Sequence, residues 1–197
     1  MKFSAVILAG GRSQRMGRDK AMLNIDGKSL LTRQMDLVHQ RGPEELFISG
    51  RPGVNYAVPG CVVLHDGFAD AGPLGGIERA LGRVRSPLLL VLAVDMPEMP
   101  AEILDELASR CTDSRGAVPR VGGRCEPLAA FYPKAAWRIA SSMLAADCKA
   151  ATQFAERCVQ SGLADFYEWD TSSAHHFTSW NRPADVRENF IRSGNGL

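Results

Sequence analysis

Short apolar runs alternate with stretches whose apolar residues recur every three to four positions. Phe3–Leu8 is a six-residue run and reads as a first strand. Residues 22–25 form a short extended piece, 26–27 a turn, and 29–40 a helix whose apolar face is Leu30, Leu31, Met35, Leu37 and Val38. Strands follow at 45–49 and 61–64, then a loop over 66–76 and a helix to about 83. Residues 88–94 are apolar without a break, as in a central parallel strand covered on both faces. A helix over 101–110 comes next, then two strands at 117–120 and 125–132 paired around Gly122–Gly123. Helices at 135–145 and 150–160, an extended piece at 166–169 and a last helix at 184–192 complete the pattern. The alternation predicts an α/β fold of three layers around a mainly parallel central sheet. In such a sheet ligands bind beyond the C-terminal strand ends.

The length, 197 residues, suits one domain spanning 1–197. A net charge of +1 argues against a general nucleic-acid binder or a membrane-surface binder, both of which require a basic face. No apolar run reaches the length of a membrane span, and residues 1–10 lack the order of a signal peptide. Cys61, Cys111, Cys125, Cys148 and Cys158 contain no C-x-x-C pair and are odd in number. They read as reduced thiols of a cytoplasmic protein rather than a disulfide frame or zinc site.

The densest chemistry lies in the loop after the first strand. Leu8-Ala9-Gly10-Gly11 turns out of the strand, and Arg12, Arg15, Arg18 and Lys20 follow within nine residues. Paired glycines let the backbone turn tightly and present N–H groups to phosphate oxygens. Four cations in one loop repel each other unless an anion compensates, and a triphosphate does so. The bland alternative is a glycine turn with solvated basic residues. Two other phosphate loops do not fit. Gly27-Lys28-Ser29 has Met22 where a Walker loop requires its first glycine, and Gly10, Gly11 and Gly17 lack the dinucleotide spacing.

The run L-A-G-G-x-S-x-R-M-G-x-D-K resembles the signature of the nucleotidyltransferases with a Rossmann-like domain. The Gly10-Gly11 pair leans toward the molybdenum cofactor guanylyltransferase (MobA) branch. Val94-Asp95-Met96-Pro97 is similar to the family's C-D-x-P-x-x-P, with Val94 in place of Cys. Gly72-Pro73-Leu74-x-Gly76 resembles the branch's G-P-L-x-G loop. Residues 127–132 and 177–183 resemble its P-L-x-A-L-Y and F-x-N-x-N-T-P segments, with Ser179 at the first Asn and Arg182 at the Thr.

The resemblance implies transfer of GMP from GTP to molybdenum-molybdopterin, with release of pyrophosphate. Leu8, Ala9, Gly10, Gly11 and Arg12 line the phosphates, Lys20 and Arg15 stabilise charge on the α-phosphate, and Asp95 holds Mg²⁺. Asp66, Gly75 and Ser49 (where the family often has Asn) adjoin the nucleotide, and Asn181 adjoins the acceptor. From the residues alone, Asp95 reads equally as a magnesium ligand or as the N-cap of the next helix, and Asp66 as a turn-starting Asp. His65 and His175-His176 show no metal-ligand spacing. GTP and molybdopterin are the implied partners, with molybdoenzyme apoproteins or their chaperones beyond them. The alternatives are a molybdopterin cytidylyltransferase, a sugar- or polyol-phosphate nucleotidyltransferase, and a nucleotide-binding carrier without chemistry.

Overall fold

The computed structural model describes residues 1–10, 20–25, 27–51, 53–56, 58–65 and 70–180. Its main sheet has five strands. The first, β1 (Phe3–Leu8), is buried throughout. A hairpin of β2 (Asn24–Ile25) and β3 (Lys28–Ser29) leads into α1 (Leu30–His39), so the expected extended piece at 22–25 contributes one arm of a hairpin. Ser29 caps α1 by accepting from the Thr32 N–H at 3.0 Å, which removes one unpaired donor of the first turn. Next come β4 (Leu46–Ser49), β5 (Val62–Leu64), α2 (Gly72–Leu81), β6 (Leu88–Ala93) and α3 (Ala101–Arg110). The second half supplies β7 (Gly116–Val121), β8 (Arg124–Cys125), β9 (Ala129–Pro133), α4 (Trp137–Ala145), α5 (Ala151–Gln160) and β10 (Ala164–Trp169).

The main sheet runs β5-β4-β1-β6-β9, parallel except for β9, which is antiparallel to β6. Its side chains divide by the strand period of two. Phe3, Ala5, Ile7, Leu88, Leu90, Leu92 and Phe131 pack on one face with α1 and α3. Val6, Leu8, Leu89, Val91, Ala130 and Tyr132 pack on the other with α2, α4 and α5. The three layers and the mainly parallel sheet agree with the sequence pattern.

Three elements depart from expectation. The strands around Gly122–Gly123 do not form one long hairpin. β7 pairs with the two-residue β8, and Glu126 N–H closes back on the Pro119 carbonyl at 2.9 Å. Pro127 has no N–H to extend the ladder. The buried run Ala129–Pro133 instead lies beside β6, where both its faces are covered. The extended piece at 166–169 is the end of β10, which pairs parallel with β7 in a second, three-stranded sheet, β10-β7-β8. Finally, α2 begins at Gly72, so the glycines at 75 and 76 lie inside the helix rather than in the loop before it. The expected helix at 184–192 lies outside the described residues.

Candidate active site

The C-terminal ends of the parallel strands are level. Leu8 is in register with both Ser49 and Ala93, and Ser49 with Leu64. The ladder continues one step past the strands: Ala9 N–H donates to Ser49 C=O at 2.8 Å, Val94 N–H to Leu8 C=O at 3.1 Å, and Gly50 N–H to Leu64 C=O at 3.1 Å. Chain order reverses at β1, since β4 lies on one side of it and β6 on the other. The crevice between β1 and β6 is therefore the topological switch point, the place where open α/β sheets bind ligands. Gly10 lies two residues beyond Leu8, and Asp95 two beyond Ala93, on the two sides of that crevice.

Lys20 closes on the same place. It starts a 3-10 turn, Lys20–Met22, pinned by the fully buried Ala21 and by Leu23 N–H on the Lys20 carbonyl at 3.0 Å. From there its Nζ reaches Asp95 Oδ2 at 3.3 Å, across 75 positions of sequence. Both side chains are largely covered, 17% and 20% exposed. Asp95 is not a helix cap: Pro100 occupies the N-cap of α3 and no side chain caps that helix. The N-cap alternative for Asp95 therefore falls, and its carboxylate faces the crevice cation.

Donor chemistry at this point suits a cation that arrives with a nucleotide. Among the described residues no three His, Cys, Asp or Glu side chains gather as a metal cage. Magnesium bound to a nucleotide takes one or two carboxylates, and phosphate oxygens and waters complete its shell. The carboxylate of Asp95, at a strand tip, fits that pattern.

On the other side of the crevice, α2 presses its first turns onto β1 and β4. Gly75 and Gly76 are buried. A Cβ on Gly76 would lie 2.8 Å from Ser49 Cβ and 2.9 Å from Leu8 Cδ2, with Ser49 Oγ closer still, so only glycine allows the helix to approach this far. Ser49, 4% exposed, thus lies under α2 with its side chain against Gly76. The chain reaches α2 through Asp70 and Gly72, both with positive φ (54° and 61°).

Gly11, Arg12, Arg15, Asp66 and Asn181 lie outside the described residues. Of the others, the structure brings Leu8, Ala9, Gly10, Lys20 and Asp95 to one crevice and places Ser49 and Gly75 at its α2 side. His65 is exposed at the end of β5. The rings of His175 and His176 are tilted against each other with centroids 3.7 Å apart, and their Nδ1 atoms meet the carbonyls of Ser172 and Glu98 at 2.7 and 2.8 Å. Both thus tie backbone through Nδ1. All five cysteines are free. Burial pushes the thiols of Cys111, Cys125 and Cys158 up to about 12, so none of these three is a thiolate nucleophile near neutral pH. Sequence reasoning missed two residues beside Asp95. The backbone N–H of Trp180 donates to the Asp95 carbonyl at 2.8 Å, and Gln34 donates Nε2 to the Met96 carbonyl at 2.6 Å.

A crevice at the switch point of a parallel sheet is common to many nucleotide enzymes. The family model of the MobA-like NTP transferase domain matches residues 5–161, which include most of β1, the residues of the crevice and β6. The chain belongs to this family. As a MobA-like transferase it is a nucleotidyltransferase, and its relatives extend the likeness over nearly the whole chain. It is 34% identical over 185 residues to a probable molybdenum cofactor guanylyltransferase of Opitutus terrae, covering 92% of each chain. It is 32% identical to the molybdenum cofactor guanylyltransferase of Syntrophotalea carbinolica, covering 100% of this chain and 95% of that one. Among solved structures, molybdopterin-guanine dinucleotide biosynthesis protein A from Archaeoglobus fulgidus superposes with a TM-score of 0.70 at 21% identity, over 96% of this chain and 98% of that one. The 2-C-methyl-D-erythritol 4-phosphate cytidylyltransferase of Thermus thermophilus superposes with a TM-score of 0.72 at 19% identity, over 98% and 100%. The fold is thus shared by a cytidylyltransferase and a protein of molybdopterin-guanine dinucleotide biosynthesis. Among the described residues, no helix of this transferase is long and apolar enough to cross a membrane.

Proposed function

We propose that this chain transfers GMP from GTP to molybdenum-bound molybdopterin, releasing pyrophosphate and forming a guanine dinucleotide cofactor. The observation that carries this reading is the meeting of Lys20 and Asp95 at the β1–β6 switch point, in a chain whose full-length relatives are named for guanylyl transfer. A terminal phosphate oxygen of molybdopterin attacks the α-phosphorus of GTP in line. A bond forms between them, the bond to the β-phosphate oxygen breaks, and pyrophosphate leaves. The protein's work is positioning two polyanions and matching charge as it moves.

Backbone N–H groups of Gly10, Gly11 and Arg12, with Leu8 and Ala9 behind them, hold the phosphates. Lys20 and Arg15 stabilise charge on the α-phosphate. Asp95 would hold Mg²⁺, which when bound supplies charge neutralisation to the phosphate oxygens. Gly75, Ser49 and Asp66 adjoin the nucleotide. The close seating of α2 leaves backbone groups at its start to meet the donor-acceptor edge of guanine. Asn181 adjoins the acceptor phosphate. The reaction belongs in the cytoplasm, in keeping with five free thiols, and its product passes to molybdoenzyme apoproteins or their chaperones.

Cytidylyl transfer is the second reading, because a cytidylyltransferase shares the fold. A calorimetric panel of GTP, CTP, ATP and UTP with Mg²⁺ separates the two, followed by pyrophosphate release with molybdopterin as acceptor. GTP is expected to bind at least tenfold ahead of CTP, about 1.4 kcal/mol, and to release pyrophosphate. CTP binding as well as GTP overturns the guanylyl assignment. GTP binding without pyrophosphate release identifies a carrier.

A further inference from the structure

The ties made by the segment after β6 have no role in the chemistry described so far. Two peptide groups follow the Cα of Asp95, and each is held from outside. The backbone N–H of Trp180 donates to the Asp95 carbonyl at 2.8 Å, and Gln34 Nε2 donates to the Met96 carbonyl at 2.6 Å. On the strand side, Val94 N–H is fixed on the Leu8 carbonyl. The carboxylate of Asp95 is short, so its oxygens go where this backbone goes.

Gln34 is an unexpected residue to find here. It lies in the apolar stripe of α1, among buried Leu30, Leu31, Met35 and Val38, and is 1% exposed. Only one end of its amide is used. Among the described residues Oε1 has no hydrogen-bond partner, although it is buried. Which amide atom faces Met96 follows from the bonding, since a carbonyl requires a donor. An amide left half-satisfied in a core stabilises poorly, because the unpaired acceptor has lost its water. What the side chain does deliver is a fixed location for one carbonyl, one residue past Asp95.

We propose that Gln34 is a positioning residue for Asp95: its amide donor, acting through the Met96 carbonyl, sets where the cation ligand stands in the crevice. The proposal rests on the reading of Asp95 as the cation ligand. Gln34 touches neither nucleotide nor metal, and its effect passes through backbone. A misplacement of about 1 Å at such a group is enough to cost on the order of 100-fold in function.

The test compares GTP affinity by calorimetry in Mg²⁺ and in EDTA, for wild type, Asp95→Asn, Gln34→Leu and the volume-matched Gln34→Met, each with a thermal melt. The readout is the gain in GTP affinity that Mg²⁺ confers. Both Gln34 variants are expected to lose about tenfold of that gain, with GTP affinity in EDTA and the melting midpoint close to wild type. A preserved gain in the Gln34 variants, with a lost gain in Asp95→Asn, overturns the role of Gln34 and leaves Asp95 standing. A preserved gain in Asp95→Asn overturns the assignment of Asp95 and this proposal with it. Equal losses with and without Mg²⁺, or failure of both Gln34 variants to fold, show a structural role and overturn the proposal.

Discussion

Lys20 and Asp95 meet in the crevice because two unrelated local events end there. A 3-10 turn anchored by Ala21 returns the chain from the glycine loop, and β6 ends two residues before Asp95. Their ion pair, at 3.3 Å and mostly covered, means that Lys20 already faces an anion where the triphosphate is proposed to lie. Lys20→Ala is therefore expected to weaken GTP binding by roughly 10- to 100-fold, the range for a charge-assisted bond, and to leave guanosine binding nearly unchanged. Calorimetry with both ligands checks this; equal weakening of the two would move Lys20 away from the phosphates. Much of this was legible in sequence, since a basic residue after a glycine loop and an aspartate at a strand tip carry their chemistry in their positions. Gln34 and Trp180 were not. A single glutamine in an amphipathic helix reads as part of its solvent face, and only the packed structure shows it in the apolar stripe.

At the scale of elements, strands and helices announced themselves by period, but their partners did not. The run at 125–132 reads as one arm of a hairpin, yet Glu126 and Pro127 turn it out of the small sheet and its buried half joins β6. Periodicity reports which faces are covered and not by what, so pairing between residues as far apart as Leu88 and Pro133 was out of its reach. The glycines of α2 give the same lesson in reverse: small residues near a helix start read as loop, whereas the close approach to Leu8 and Ser49 makes them helix contacts. Gly76→Ala is expected to destabilise the protein by about 1–3 kcal/mol, as overpacking does. Ser49→Ala should return part of that loss, because Ser49 Oγ is the atom nearest the added methyl. Urea unfolding of both single variants and the double checks the coupling; strictly additive values would show that helix and strand do not press on each other there.

Across the whole molecule, the two ends of the main sheet are built differently. The C-terminal edge carries the crevice. At the N-terminal edge a polar seam crosses β1, β4 and the approach to β6. Ser4 Oγ, 0% exposed as a residue, donates to Glu45 Oε2 at 2.8 Å and adjoins Ser86 Oγ at 3.0 Å. Ser86 in turn donates to Glu44 at 2.7 Å. Arg85 donates its backbone N–H and its guanidinium to Glu45, both at 2.8 Å. Burial of Glu45 opposes its ionisation, but the bonds from Arg85 and Ser4 outweigh it and hold the carboxyl below its ordinary 4.5. A carboxyl depressed by folding stabilises the protein fully above its unfolded pKa. It loses that contribution as pH falls through 4.5 toward the folded value, because the unfolded chain binds the proton first. Glu45→Gln is therefore expected to lower unfolding free energy near neutral pH, by about 1–3 kcal/mol for a partly buried charge-assisted network. Its deficit against wild type should shrink as the pH is stepped down through and below 4.5. Turnover per folded molecule should not change, because Ser4 and Glu45 lie at the far end of the strands from Leu8, Ser49 and Asp95. Urea unfolding of both proteins across that range is the measurement. A deficit that stays constant with pH would mean that Glu45 contributes packing and hydrogen bonds without any linkage to its charge.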